Sequence, residues 1–339
     1  MQLLSFYSIG RQSFVPPRTA ILLSTLFVAA CSTAAPLSPQ AGVGSSGSHA
    51  VAAYRHHSGG YKFVTVDNPD DLKYNQLTGI NNLAKLTGFE GSGSKADPSI
   101  GYVVRPPYGP QNFSEEPYPT AVNTVITSLN NMKVIAGYYS VQRGRIFGCI
   151  YQNGIWSSYQ DPKLLRSKIN ITELLGISDA DLAVGFYEND SKNDYPFELN
   201  PASGEFHGIF PPGATSAVAS GINGKGDIVG WASVGGATIG YLLKGGLYTF
   251  LSYPGAVETK LTAVNWQDQI SGSYVDHAGV THGFVLTNPL SSQQWLSVDN
   301  PLAAGTTFIA GIENHHRVVG YYVDAEGITH GFMGTPGKK

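Results

Sequence analysis

Residues 221–231 read Gly-Ile-Asn-Gly-Lys-Gly-Asp-Ile-Val-Gly-Trp, a pattern that recurs along the chain and indicates its fold. Two short apolar runs flank an Asn-Gly-Lys-Gly turn, and a glycine followed by an aromatic residue stands nine positions after Gly221. Neither run is long enough, or spaced at 3.6 residues, to indicate a helix. The stretch therefore predicts two antiparallel strands joined by a tight turn.

The same arrangement occurs six times along the chain, at spacings between 42 and 49 residues. Each copy contains a three-residue motif, in which a small residue is followed by Ile, Leu or Val and then by a polar residue or Glu. The motif starts at Gly79, Ser128, Gly176, Gly221, Ala263 and Gly311. A glycine follows each at an offset of nine, at Gly88, Gly137, Gly185, Gly230, Gly272 and Gly320. A fixed offset in all six copies indicates an internal repeat, and a repeat of this period is typical of repeat architectures.

A second set of positions supports the same period. Six prolines, Pro69, Pro119, Pro162, Pro212, Pro254 and Pro301, follow an aromatic residue six positions earlier. Each repeat then contains four short apolar segments separated by turn residues. In the fourth repeat the segments predict strands over 217–222, 227–232, 238–243 and 247–251. Four strands in about 46 residues are typical of one blade of a β-propeller.

The two ends of the repeat array are rotated by one strand. A Phe-x-x-Val-Asp-x-Pro segment at 63–69 precedes the first full repeat, and the last repeat stops after His330-Gly331-Phe332 without that segment. A linear solenoid would instead need polar capping repeats. We therefore predict an all-β fold, a six-bladed β-propeller over residues 61–335, closed by the N-terminal strand that completes the last blade.

The N-terminus has the features of an export signal. Arg11 and Arg18 precede a mostly apolar run at 20–30, which is too short for the roughly 20 residues that span a bilayer. The run ends Val28-Ala29-Ala30-Cys31, which resembles the lipobox of bacterial lipoprotein signal peptides. The resemblance implies cleavage of residues 1–30 and lipid attachment at Cys31, and Ser32 favours the outer membrane. The alternative is an ordinary secretory peptide that happens to precede a cysteine.

Composition limits what the exported chain can be. Residues 31–60 are rich in Ser, Ala and Gly and predict a flexible tether in the cell envelope. The net charge of −3 and the lack of a basic run argue against nucleic-acid binding. Cys149 is the only cysteine besides Cys31. If Cys31 carries lipid, no intramolecular disulfide is possible, and we expect Cys149 to pack as a small buried hydrophobic residue. We expect a monomer without a cofactor.

The repeats resemble those of bacterial extracellular HAF-repeat proteins. Their Gly-Ile-Asn, Val-Gly-Tyr-Tyr and His-Gly-Phe pattern is matched best by 319–322 with 330–332, and next by Gly272 with 282–284. The resemblance covers residues 61–333 and implies a propeller-like repeat fold. It brings no catalytic residues, and four of the six repeats lack the motif histidine.

Candidate functional residues come from the loops between strands two and three and between consecutive blades, which share one face of a propeller. They are Lys73, Arg166, Lys168, Glu258, Lys260, Asp276, His282, Asp324 and His330. The connection 162–175 departs most from the repeat. It has two interpretations, a ligand site or a solvated surface loop, and the solvated loop is favoured. The pairs Asp276–His282 and Asp324–His330 have two interpretations, catalytic Asp–His pairs or polar contacts that satisfy a tight turn.

The sequence holds few signs of catalysis. It has no Gly-x-Ser-x-Gly elbow and no cysteine cluster for zinc. The residues expected near the axis are neutral: Asn75, Thr78, Asn123, Thr127, Thr262 and Thr307. We therefore predict a surface-anchored, non-enzymatic binding protein with a protein, glycan or small-molecule partner on the loop face. The alternatives are an extracytoplasmic hydrolase or lyase with its site at the mouth of the axial channel, and a scaffold of a larger envelope complex.

Overall fold

A computed structural model describes residues 57–58, 60–142, 144–165, 167 and 170–337. It is 55% strand and 2% helical, which confirms the all-β prediction. The helical residues belong to two 3-10 helices, Pro110–Asn112 and Pro162–Leu164. Within the described residues, no helix has the length and apolar character needed to cross a membrane. The signal segment 1–30, Cys31 and most of the predicted tether lie outside these residues.

The strands pair as six consecutive groups of four antiparallel strands, called units 1 to 6 below. Unit 1 consists of Asn75–Ile80, Leu86–Glu90, Ile100–Val104 and Phe113–Glu115, and unit 2 of Asn123–Leu129, Ile135–Val141, Arg145–Gln152 and Ile155–Tyr159. Unit 3 consists of Ile171–Ile177, Ala183–Glu188, Asp194–Asn200 and Glu205–Gly208, and unit 4 of Ala214–Ile222, Ile228–Val234, Ala237–Lys244 and Leu247–Leu251. Unit 5 consists of Glu258–Val264, Ile270–Val275, Thr281–Thr287 and Gln294–Ser297.

Unit 6 takes its fourth strand from the other end of the chain. Its first three strands are Thr306–Ile312, Val318–Val323 and Thr329–Pro336. The strand Tyr61–Thr65 pairs antiparallel with the third of these, with Tyr61 opposite Pro336 and Thr65 opposite Phe332. The short strand His57–Ser58 then pairs with Tyr61–Thr65. Unit 6 is thus built from both ends of the described chain.

A β-bulge interrupts the first strand of every unit at the same place. In unit 1 the register shifts between Leu77 and Gly79, so that Thr78 is the extra residue. The glycine at the fixed offset of nine faces this bulge. A Cβ atom on Gly320 would lie 1.8 Å from the carbonyl oxygen of Phe308, far inside contact distance. The repeated glycine is therefore required by the close approach of two backbones.

Neighbouring units pack through a second repeated glycine. A Cβ atom on Gly331, in the third strand of unit 6, would lie 2.9 Å from Leu77 of unit 1. Corresponding contacts with leucine or isoleucine occur at four other junctions. Unit 3 has Pro196 instead of glycine, and the equivalent first-strand residue of unit 4 is the smaller Ala219. The change in size on one side of the junction is matched on the other.

Hydrogen bonds between units follow the same repeat. The Thr78 hydroxyl on the bulge donates to the carbonyl of Ile126 in unit 2 at 2.7 Å. The side-chain amide of Asn81, in the turn after the first strand, donates from Nδ2 to the carbonyl of Asn130 at 3.2 Å. The hydroxyl bond recurs from Thr127, Ser220 and Thr262, and the amide bond from Asn130, Asn223 and Asn265. Three of the neutral axial candidates, Thr78, Thr127 and Thr262, therefore join units and do not form a site.

The junction from unit 3 to unit 4 lacks both of these bonds. Leu175 stands at the position of the bulge hydroxyl, and Ser178 at the position of the turn amide. The Ser178 hydroxyl is used inside its own turn, where it accepts a hydrogen bond from the Leu182 amide at 3.2 Å. This junction depends on apolar packing, since Val184 of unit 3 clusters there with Ala219, Ile222 and Ile228 of unit 4.

Cys149 lies in the third strand of unit 2 and is a free, fully buried cysteine, as expected. Burial raises the pKa of its thiol well above the usual value, which keeps it protonated and unreactive. Cys149 therefore packs in the core as a small apolar side chain.

Truncating a turn amide tests the bonds between units. Asn81→Ala removes the bond to unit 2 and the acceptor for its own turn, whereas Ser178→Ala removes only a turn acceptor. We expect a loss of about 2 kcal/mol of unfolding free energy for Asn81→Ala and about 1 kcal/mol for Ser178→Ala. Denaturant unfolding measures both values. Equal losses would show that the bond to unit 2 contributes nothing.

Candidate functional site

The connections of the units lie on two faces of the molecule. The loop face holds the connections between strands two and three and between units, and the turn face holds the turns between strands one and two and between strands three and four. Lys73, Asp276 and Asp324 lie in loops of the loop face, and His282 and His330 lie at the strand ends beside them. Arg166 and Lys168 lie outside the described residues.

The prediction for Glu258 and Lys260 is wrong in its placement. Both were assigned to a loop between units, but they belong to the first strand of unit 5, Glu258–Val264. The strand begins earlier than the repeat suggested because Glu258 already pairs with Val275 of the second strand. These two residues therefore lie on the first strand of unit 5 and not in the connecting loop.

His330 is held between two carboxylates. Its Nδ1 lies 2.7 Å from Asp67 Oδ2, and its Nε2 lies 3.1 Å from Asp324 Oδ2. The other oxygen of Asp67 accepts a hydrogen bond from the Gly331 amide at 2.8 Å. The imidazole also stacks on the ring of Tyr322, with 5.0 Å between ring centroids. Both ring nitrogens thus contact a carboxylate of the cluster.

Unit 5 repeats this arrangement around His282. Its Nδ1 lies 3.0 Å from Asp299 Oδ2 and its Nε2 lies 3.4 Å from Asp276 Oδ2. Asp299 also accepts a hydrogen bond from the Gly283 amide at 3.2 Å, and the imidazole stacks on Tyr274. Two such clusters, each linking a third strand to the segment after a fourth strand, support the structural interpretation of the Asp–His pairs.

The second carboxylate of each cluster was missed by the sequence analysis. Asp67 and Asp299 both stand two residues before one of the repeated prolines. No other repeat has an aspartate at that position, and no other repeat has the motif histidine. The aspartate and the histidine therefore occur together in the same two repeats, and this co-occurrence could have indicated from the sequence that they are in contact.

The pKa of His330 is raised above its usual value. The hydrogen bond to Asp67 is the main cause, burial opposes it, and Asp324 adds to it. Burial alone would raise the pKa of Asp324, but the Ile328 amide and His330 hold it below the usual value. The two carboxylates therefore favour the protonated form of His330, and the cluster ties the segment after the N-terminal strand to the last strand.

A cavity of about 360 Å³ opens on the loop face of unit 3. It is lined by Lys163, Leu164, Ser167, Tyr187, Asn189 and Asp190. The first three belong to the connection 162–175, which departs most from the repeat. Its volume falls in the range of small-molecule sites.

Local structure fixes the walls of this cavity. The Asp161 side chain accepts a hydrogen bond from the Lys163 amide and thereby starts the short helix Pro162–Leu164. Lys163 Nζ lies 5.2 Å from the ring centroid of Tyr187. The Ser167 hydroxyl donates to Asp190 Oδ1 at 2.5 Å, which joins the two loops across the cavity. Burial raises the pKa of the Tyr187 hydroxyl, and nearby Lys163 opposes this shift.

Charged side chains also occur on the inner strands, contrary to the neutral set expected there. Glu173 of unit 3 and Lys260 of unit 5 occupy equivalent positions. Burial raises the pKa of Glu173 well above its usual value and lowers that of Lys260, whose Nζ lies 5.6 Å from the Trp231 ring. Within the described residues, no ion pair or hydrogen bond joins Glu173 to Lys260.

The part of the chain that the structure covers has no group of three or more His, Cys, Asp and Glu side chains arranged to hold a metal ion.

Comparisons with known proteins identify the fold. No family model matches the chain, and no curated protein matches it. A triple arginine-to-alanine mutant of AofleA from Arthrobotrys oligospora is similar in structure, with 12% identity and a TM-score of 0.52, over 82% of this chain and 87% of that one. At this identity the similarity shows the fold alone, which is an all-β, propeller-like fold built from four-stranded sheets.

Two other solved structures are similar at lower scores. TolB from Acinetobacter baumannii matches 79% of this chain at 8% identity with a TM-score of 0.46, and this chain spans 65% of its length. A point mutant of the Aleuria aurantia lectin AAL, in complex with Fucα1-6GlcNAc, matches 77% of this chain and 91% of that chain at 8% identity with a TM-score of 0.45.

The His330 cluster predicts a pH-dependent stability. Because the folded pKa lies above the unfolded value of about 6.5, the stabilisation is fully present below pH 6.5 and is lost as pH rises through the folded pKa. We expect wild type to exceed His330→Gln by about 1.5 kcal/mol at pH 5.5 and by less at pH 8.5. Denaturant unfolding at both pH values measures the difference.

His207→Gln is the control, because His207 is an exposed histidine with only a 3.7 Å ion pair. We expect this variant to match wild type at both pH values. A His330→Gln deficit that grows between pH 5.5 and pH 8.5 would contradict the assignment.

Proposed function

We propose that this chain is a six-bladed, closed β-propeller that is anchored to the outer membrane through Cys31 and binds a ligand on its loop face without catalysis. The six equivalent units and the pairing of Tyr61–Thr65 with the last strand support the closed ring. The lipobox-like sequence supports the anchor. The same markers support membership of the HAF-repeat proteins.

The cavity of unit 3 carries the binding proposal. It is formed where the chain departs from the repeat. Leu164 and Tyr187 of its lining also belong to the core between units 2 and 3, whereas that core does not include its polar residues Lys163, Ser167 and Asn189. Lys163 offers a positive charge, Ser167 and Asn189 offer hydroxyl and amide groups, and Tyr187 and Leu164 offer apolar walls. A few polar groups in a partly apolar concave site are typical of small-molecule recognition.

We propose an acidic sugar of a glycan as the ligand, with Lys163 as its partner, since the Asp190 carboxylate in the lining already accepts a hydrogen bond from the Ser167 hydroxyl. An ammonium group binds a carboxylate as a point charge, and hydroxyl and amide groups bind sugar hydroxyls. The connection also contains Arg166 and Lys168 in its sequence, which adds positive charge to this segment. We therefore propose a glycan carrying a carboxylate as the ligand of the loop face.

Glycan binding can be tested with an array of neutral and uronic-acid-containing oligosaccharides, followed by titration calorimetry with the best binder. We expect wild type to prefer the acidic sugars. Lys163→Met removes the positive charge at the cavity, and we expect at least about a tenfold loss of affinity, equivalent to 1.4 kcal/mol.

Lys192→Met is the matched control, because Lys192 lies in the same loop as Asn189 and Asp190 but does not line the cavity. We expect its affinity to equal that of wild type. Equal binding of neutral and acidic sugars, or wild-type affinity in Lys163→Met, would refute the proposed ligand class.

A further inference from the structure

Glu90 ends the second strand of unit 1, at a position where the other units carry no carboxylate. Four of them have tyrosine there and unit 4 has alanine: Tyr139, Tyr187, Tyr274, Tyr322 and Ala232. Each of these tyrosines stacks on a neighbouring ring, so the repeat uses this position for packing. Glu90 is also buried, with an exposed fraction of 5%. The packing of the units therefore does not explain a carboxylate at this position.

Two buried carboxylate oxygens in this region have no hydrogen-bond partner within the described part of the chain. One is Oε2 of Glu90, and the other is Oδ2 of Asp71, in the segment that leads from the strand Tyr61–Thr65 to unit 1. The Asp71 backbone amide hydrogen-bonds to the Glu90 carboxylate, so the two side chains belong to one site. The other oxygen of Asp71 accepts a hydrogen bond from the Lys73 amide at 2.7 Å, which holds this side chain over its own turn.

The charges that act on Glu90 are all negative. Burial is the main cause that raises the pKa of Glu90 to about 7. The neighbouring carboxylates of Glu115, Asp70 and Asp71 raise this pKa further. Within the residues that the structure describes, no lysine, arginine or histidine forms an ion pair with any of these side chains. A buried carboxylate needs a proton, a positive side chain or a metal ion to offset its charge. A proton and a metal ion are therefore the two candidates here.

The site lies where the segment after the N-terminal strand meets unit 1. Asn75, which opens the first strand of unit 1, donates a hydrogen bond from Nδ2 to the carbonyl of Asp71. The same segment contains Asp67, which contacts His330 of unit 6. A ligand shared by Asp71 and Glu90 would therefore connect this segment to the second strand of unit 1.

We propose that Asp71 and Glu90 bind a divalent cation, calcium, through the unpartnered oxygens Oδ2 and Oε2. Calcium accepts carboxylates, carbonyls and water in shells of variable geometry, whereas magnesium requires a near-ideal octahedron. One carboxylate from an irregular segment and one from a strand end suit the more permissive ion, and water completes its coordination. The cation holds the segment after the N-terminal strand against unit 1. This site is independent of the sugar cavity and of the lipid anchor.

The test uses the full chain after treatment with EDTA, titrated with calcium chloride in a calorimeter and then unfolded by heat. We expect one calcium ion per chain. At about 100 times Kd, we expect the unfolding temperature to lie about 5 °C above its value in EDTA. Magnesium should give a smaller increase. No binding up to millimolar calcium, or an unchanged unfolding temperature, would overturn the proposal and is the result expected if a proton alone neutralises Glu90.

Two variants locate the site. Glu90→Gln and Asp71→Asn each remove one charged ligand but keep an acceptor of the same size. We expect each to lose at least about tenfold in calcium affinity. In EDTA, Glu90→Gln should unfold at or above the wild-type temperature, because the variant relieves repulsion between like charges. A purely structural role for Glu90 would instead lower the unfolding temperature equally with and without calcium.

Glu198→Gln is the matched control, because Glu198 is a half-buried carboxylate on the third strand of unit 3. We expect it to bind calcium with wild-type affinity. Wild-type affinity in both Glu90→Gln and Asp71→Asn would contradict the assigned site. Lys163→Met should keep calcium binding, and Glu90→Gln should keep sugar binding measured in EDTA, so that the failure of either proposal is distinguished from the failure of the other.

Discussion

The pairing of the strand Tyr61–Thr65 with Thr329–Pro336 is the contact on which the rest of the structure depends. Phe63 packs against Phe332 at 5.4 Å between ring centroids, and both belong to the core of unit 6. The Val66 amide then donates to the carbonyl of Gly331 at 2.9 Å. Without this strand, unit 6 would expose an unpaired strand edge and part of its core to solvent. The N-terminal strand is therefore part of the last unit.

Each unit buries its apolar faces against its neighbours, so the junctions determine which residues the repeat keeps. Glycine recurs where two backbones meet at the bulge, and again where a third strand meets a leucine or isoleucine of the next unit. Unit 3 has Pro196 where the other units have glycine, and unit 4 has the smaller Ala219 at the position that contacts it. The residues of the proposed binding cavity lie where the repeat fails, in the connection that holds Lys163.

The sequence predicts the architecture well because backbone packing repeats at fixed offsets. The predicted strand 247–251 of the fourth repeat matches Leu247–Leu251, and the other three strands differ by one to three residues at their ends. The site is predicted less completely. Glu258 and Lys260 were misplaced because the start of a strand depends on its cross-strand partner, and Glu173 was missed because burial near the axis is a tertiary property. The partnership of Asp67 with His330 spans nearly the whole described chain, and spacing alone does not indicate it.

The most direct measurement is a disulfide between the two chain ends, in the full-length Lys62→Cys, Thr335→Cys variant. These exposed residues are directly opposite in the antiparallel pair, where Cα atoms are about 4.5–5.5 Å apart and within disulfide range. Ser157→Cys with Thr335→Cys, which places one thiol on the fourth strand of unit 2, is the control. A closed ring predicts an intramolecular disulfide in the first variant alone, with increased resistance to unfolding. Thiols that stay reduced, or that link only separate molecules, would contradict the closed ring.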